Sequence, residues 1–147
     1  MKRVLALVLV LFAFPALAQL VTFPKDTVTI ETAAGAKHKF NVEVATSPAQ
    51  ISQGLMFRRQ MAADAGMLFL FDPHPAVFWM KNTYIPLDMI FIGTDGRILN
   101  IAERTIPLTE TPVPASGLTR AVLEVNGGTA ARLGLKPGDR VRHAQLP

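Results

Sequence analysis

Val28 and Ile30 alternate with Thr27, Thr29 and Glu31, and Phe40, Val42 and Val44 alternate with Lys39, Asn41 and Glu43. A period of two gives each segment one apolar and one polar face, which predicts two half-buried strands joined by a turn at Ala33 to Ala36. The period then changes. Ser47 suits a helix N-cap, Pro48 the first helical position, and Gln50 stands three residues after Ser47, as in a capping box. Ile51, Leu55 and Arg58 follow at helical spacing, so Arg58 is expected to point toward the protein body unless the helix has ended before it. A guanidinium placed there needs a carboxylate or carbonyl partner, whereas Arg59 should face solvent.

Met67 to Phe71 and Val77 to Met80 have no polar face, so both sides should be covered. Asp72-Pro73-His74-Pro75 between them is predicted as a turn, because proline offers no N–H for sheet pairing and restricts the residue before it. Asn82 to Pro86 should reverse or offset the chain before a strand at Leu87 to Ile92. Asp95-Gly96 closes a hairpin onto Arg97 to Ala102. Residues 104 to 119, with three prolines and a glycine, are expected to form a long irregular surface connection. A strand at Ala121 to Asn126, a short helix at Thr129 to Leu133 ended by Gly134, a turn at Pro137-Gly138-Asp139 and a last short strand at Val141 complete the pattern. The sum is about eight short strands and two short helices, with strands mostly following strands. That predicts a mostly β fold, a β-sandwich or a barrel-like antiparallel roll, with one or two short helices.

The beginning of the chain follows a different rule. Lys2 and Arg3 precede an apolar run from Val4 to Phe14, Pro15 breaks it, and Ala16-Leu17-Ala18 has the small-x-small pattern read by signal peptidase. Residues 1–18 are therefore expected to be a secretory signal peptide cleaved after Ala18, too short to span a bilayer comfortably. Residues 19–27 would be a flexible lead-in and 28–147 a single domain, periplasmic or secreted, with no membrane attachment after cleavage. Lys2 and Arg3 belong to the leader, so of 15 Lys and Arg against 11 Asp and Glu the remaining 129 residues keep a net charge of only +2. With no Lys/Arg run, nucleic acid is not an expected partner. The chain has no cysteine, which excludes disulfides, thiol catalysis and thiolate metal sites. His38, His74 and His143 lack ligand spacing, so neither a metal nor a cofactor is expected.

The segments "GLMFRR" at 54–59, "GMLFLF" at 66–71, "FWMKNTYIPLDMIFI" at 78–92, "DGRI" at 95–98, "VLEVNGGTA" at 122–130 and "GLKPGD" at 134–139 resemble the DUF192 family in order and spacing. The similarity runs from about Val28 to Val141. It implies a compact, mostly β domain, often exported in bacteria, and brings no established activity or catalytic residue. "AARLGLKPGDRV" is also similar to the helix-turn-strand of PDZ domains, but here no Gly-rich carboxylate-binding loop precedes it. That piece is a common local solution, a glycine ending a helix before a Pro-Gly turn.

Asp88 carries the sharpest question, since it shares a strand face with Ile90 and Ile92. A buried carboxylate needs donors. The nearby candidates are Lys81, Asn82 and Thr83 or the backbone of the 82–86 turn, and the distant one is Arg58. Glu124 shares its face with Val122 and Asn126 and reads either as a solvated strand carboxylate or as part of a site. One reading is a polar pocket lined by Arg58, Trp79, Lys81, Asn82, Asp88 and Glu124, with Trp79 as a wall, on a monomeric binding or accessory domain of the bacterial cell envelope. Its partner would be a small polar ligand or an envelope protein. A second is a small hydrolase or isomerase using Asp88 with Lys81 or Glu124 for acid–base chemistry. In a third, the polar cluster serves folding alone.

Overall fold

The alternating segments form an antiparallel pair, β1 (Lys25–Glu31) and β2 (Lys37–Ala45), in a computed structural model that describes residues 21–147. The expected signal peptide therefore lies outside the described residues. Thr22 to Pro24, within the expected lead-in, is tied down: the Thr22 carbonyl accepts from Gln50 Nε2 and the Pro24 carbonyl from the Val44 N–H, both at 2.8 Å. Helix α1 (Pro48–Gln53) starts at the anticipated capping box, with Gln50 N–H donating to Ser47 Oγ and Ser47 N–H to Gln50 Oε1. Gly54 ends it, so Arg58 lies beyond the helix.

Strand β3 runs unbroken over Ala65–Phe78, which corrects the expected turn at Asp72 to Pro75 and makes the strand count seven among the described residues. The prolines are accommodated because the pairing of β3 with β6 slips between Leu70 and His74 and again between Pro75 and Val77. At such bulges a residue without an N–H forfeits no ladder bond. The same effect shortens the connection expected at 104 to 119. Strand β5 (Ile98–Thr105) extends into it, and β6 (Val113–Asn126) begins before Pro114, which sits opposite Val77. Only residues 106–112 remain as a loop. Strand β4 (Leu87–Gly93), helix α2 (Thr129–Leu133) and strand β7 (Arg140–Arg142) complete the chain.

The seven strands form one sheet in the order β5-β4-β6-β3-β2-β1-β7. All pairs are antiparallel except β2 with β3, a parallel pair that requires the crossover carrying α1. The sheet curls until its ends touch. Ile98 N–H donates to the Asp139 carbonyl, Gly138 N–H to the Ile98 carbonyl and Val141 N–H to the Gly96 carbonyl. The concave face holds one core with residues from every strand, among them Ile30, Phe40, Leu68, Ile90, Ile98, Leu123 and Val141. A second core lies on the other face of the three central strands, where Met67, Phe69, Met89, Phe91 and Val122 are covered by Leu55, Met80 and Ile51. Burying side chains the size of Phe40, Phe69 and Phe91 stabilises by about 1.5–3 kcal/mol each.

Candidate functional site

The second core is not sealed. On β6, Glu124 stands on the same face as Val122, with Met67 of β3 and Met89 of β4 directly opposite it on either side. Two segments close over this point, residues 51–56 at the end of α1 and residues 77–83 at and after the end of β3. Between them lies a cleft of about 290 Å³, lined by Leu55, Phe69, Phe78, Trp79, Lys81, Thr83 and Glu124 among others. The Phe57 N–H donates to the Asn82 carbonyl at 2.8 Å and holds the two segments together. Both residues have positive φ, 66° and 52°. Such backbone outside glycine is sparsely populated and clusters at sites that the surrounding structure holds in place.

Glu124 is only 4 % exposed. Burial alone pushes its pKa up to about 8 from the ordinary 4.5, with no hydrogen bond or cation pulling it back. At neutral pH the carboxyl is therefore protonated, able both to donate and to accept a hydrogen bond. Trp79 is 47 % exposed at the cleft, and the Lys81 ammonium lies 5.0 Å from its ring centre and 3.2 Å from Glu110 Oε1. Thr83 is buried, its hydroxyl donating to the Lys81 carbonyl, while its own carbonyl accepts from the Leu108 N–H. Met80 N–H donates to the Thr109 carbonyl, so the 106–112 loop braces the 80–83 turn from behind.

Of the six residues singled out in the sequence, Trp79, Lys81 and Glu124 meet at this cleft, and the other three are placed elsewhere. Asn82 contributes the carbonyl that takes Phe57, and its amide reaches only the Met56 sulfur at 3.9 Å. Arg58 pairs with Glu43 at 2.6 Å and lines a separate cleft of about 680 Å³ with Asn41 and Gln60. Asp88 is fully buried on the concave side, on the sheet face opposite to Glu124. Its donors are not the 82–86 turn or Arg58 but three backbone N–H groups, those of Arg104 at 2.8 Å, Gly128 at 2.9 Å and Ala130 at 2.7 Å. Gly128, the N-cap of α2, has no side chain to offer, so Asp88 caps that helix from another strand. Asp139 stabilises its own turn by accepting from Lys136 N–H, and it also accepts from Ala33 N–H.

Leu55, Phe69 and Thr83 were not anticipated as lining residues. Gly54 was the available signal: it has φ 48° and ψ −135°, and a Cβ there would meet the Phe69 ring at 3.2 Å. Gly54→Ala is expected to destabilise the fold by about 1–3 kcal/mol and to shift Trp79 emission, because the Phe69 wall must move. Thermal unfolding together with Trp79 fluorescence checks both effects. Among the described residues no group of three or more His, Asp or Glu is placed to hold a metal ion, and no helix is long and apolar enough to cross a membrane.

Comparison with curated proteins finds no match. Among solved structures the chain is similar to a protein of Sinorhizobium meliloti 1021, provisionally described as a transcription regulator. The two are 48% identical with a TM-score of 0.84, over 86% of this chain and 99% of the other. It is also similar to a protein of unknown function from Novosphingobium aromaticivorans DSM 12444, 48% identical with a TM-score of 0.81, over 90% of this chain and 94% of the other. The model of the DUF192 family (Uncharacterized ACR) matches residues 29–143, nearly all of the described fold. The chain belongs to the DUF192 family.

Proposed function

We propose that the protein is an exported, monomeric binding or accessory domain of the bacterial cell envelope, whose ligand site is the cleft floored by Glu124. One observation carries the reading: the Glu124 carboxyl, on a residue only 4 % exposed, lines an open cleft with no hydrogen bond or ion pair to the rest of the protein. A strongly perturbed carboxyl in a cleft marks a functional site more often than chance. Apolar walls with few converging polar groups suit a small ligand. Export rests on the leader pattern of residues 1–18. A small ligand is favoured over nucleic acid because residues 19–147 carry no run of Lys or Arg and a net charge of only +2.

Acid–base catalysis is a second reading, favoured by the Glu124 pKa near 8, a value suited to proton transfer at neutral pH. Asp88, on which that reading rests, is not beside Glu124 and Lys81 but is committed to three N–H groups on the other face.

Trp79 is the only tryptophan in the chain, so its fluorescence reports directly on the cleft. Native mass spectrometry of the protein isolated gently from cells should show a chain beginning at Gln19 with a small molecule bound, whose removal alters Trp79 emission. A chain beginning at Met1 contradicts cleavage of the leader after Ala18. A protein that carries no ligand, and whose Trp79 emission answers to no small-molecule fragment, contradicts the binding reading.

A further inference from the structure

The lining of the cleft narrows the class of occupant, a step that rests on reading the cleft as a ligand site. Glu124 is the acidic side chain of the lining, and no cation faces it along the sheet. Its cross-strand neighbours are Met67 and Met89. Beyond Met67 in the same row stands Glu43, whose charge is met by Arg58 at 2.6 Å. From α1 and the segment after it, Ser52, Gln53 and Met56 line the cleft without charge. From the 77–83 segment comes Lys81, already engaged by Glu110 at 3.2 Å and by the Trp79 ring at 5.0 Å. The remaining walls include Phe69 and Phe78, packed edge-on with centroids 5.1 Å apart. Aromatic faces attract positive charge. Trp79 holds an ammonium in the free protein, and the floor lacks the counter-ion that would satisfy it.

We propose that the cleft takes a cationic nitrogen, an amine or guanidinium on an apolar stem, with Glu124 as its counter-ion and Trp79 as its stacking wall. Arrival of the cation stabilises the carboxylate, so the Glu124 proton leaves to solvent as the ion pair forms: one cation is bound and one proton released. An anionic ligand would have to bring a charge against the aromatic walls and draw Lys81 away from Glu110.

Three probes of one shape separate these cases: benzylammonium, benzyl alcohol and benzoate, followed by Trp79 fluorescence and by calorimetry in buffers of different ionisation enthalpy. Benzylammonium is expected to bind with release of one proton, its Kd falling about tenfold per pH unit between pH 6 and 7.5. Glu124→Gln, close in shape to the protonated acid, should weaken it by roughly 30-fold or more and remove the pH slope. Lys81→Met should tighten it a few-fold by clearing the competing ammonium from Trp79. If benzoate or benzyl alcohol binds as tightly as the amine, or if Lys81→Met weakens the amine, the cation assignment is overturned while the cleft stands as a ligand site. If none of the three perturbs Trp79 at millimolar concentration, the ligand-site reading falls with it.

Discussion

Asp88→Ala is expected to destabilise the fold by about 3–5 kcal/mol, which urea or thermal unfolding will measure. The substitution leaves the N–H groups of Arg104, Gly128 and Ala130 without their acceptor around a fully buried site. An unsatisfied buried donor costs about 1–3 kcal/mol, and relaxation recovers part of the total for three. Domains of this size are stable by only about 5–15 kcal/mol, so the variant should sit close to unfolding at ambient temperature. Asp88→Asn keeps one acceptor oxygen but turns an NH₂ group toward the remaining donors, and should cost about 2–3 kcal/mol. The damage should be greatest at α2 and at residue 104, where hydrogen exchange will accelerate first. A loss below ~1 kcal/mol for Asp88→Ala would show that these bonds do not hold the strand, helix and loop together.

Glu124→Gln is expected to do the opposite above neutral pH and stabilise the protein. The folded carboxyl has its pKa near 8, against 4.5 when unfolded. Between those values the folded state keeps a proton that the unfolded state has released, so stability falls as pH rises, by about 1.4 kcal/mol per pH unit. Below ~4.5 both states are protonated and the burial is tolerated in full, whereas above ~8 the folded state must hold a charge in an apolar setting. Gln cannot ionise. The variant should match the wild type near pH 4.5, exceed its stability by several kcal/mol near pH 8, and lack the slope between. Asp26 and Glu31, both held below their ordinary values, act in the other direction and only at lower pH: Asp26 through the Thr27 N–H, Glu31 through Arg142 and Lys37. The difference between the two proteins therefore isolates residue 124. Unfolding followed from pH 5 to 8.5 reads it directly.

These two carboxylates show how far the chain could be read in advance. The faces were legible, because a period of two places Asp88 with Ile90 and Ile92, and Glu124 with Val122, whatever the rest of the molecule does. Their surroundings were not. Asp88 takes its donors from residues 16, 40 and 42 positions away, supplied by strand pairing and a helix start that no local pattern links to it. Glu124 resembled a wet strand residue, since its cover comes from residues 51–56 and 77–83, far along the chain. Local chemistry was the reliable part: the capping box at Ser47 and Gln50, the Asp95-Gly96 turn and the alternating strands β1 and β2 all form as expected. Prolines misled where pairing is already broken. Pro73, Pro75 and Pro114 read as turn or loop, yet they sit inside two long strands, Pro73 within a slip of the register and Pro75 and Pro114 on the two sides of the next one.

Trp79, Lys81 and Glu124 converge from two separate blocks, and only the sheet register explains why. β6 lies between β3 and β4, so Glu124 passes directly beneath the segment that carries Trp79 and Lys81 from the end of one strand toward the start of the other. Arg58 is drawn instead to Glu43, because β2 pairs in parallel with β3 and brings Glu43 into the same row as Met67 and Glu124.

The account turns on a single uncompensated carboxyl at the floor of the cleft, and a carbon-detected NMR titration of the Glu124 side chain measures it most directly. A midpoint near 8 is the expected result. A midpoint near 4.5 would mean that the carboxyl is hydrated or already paired, and would contradict the reading of Glu124 as an uncompensated floor awaiting a ligand.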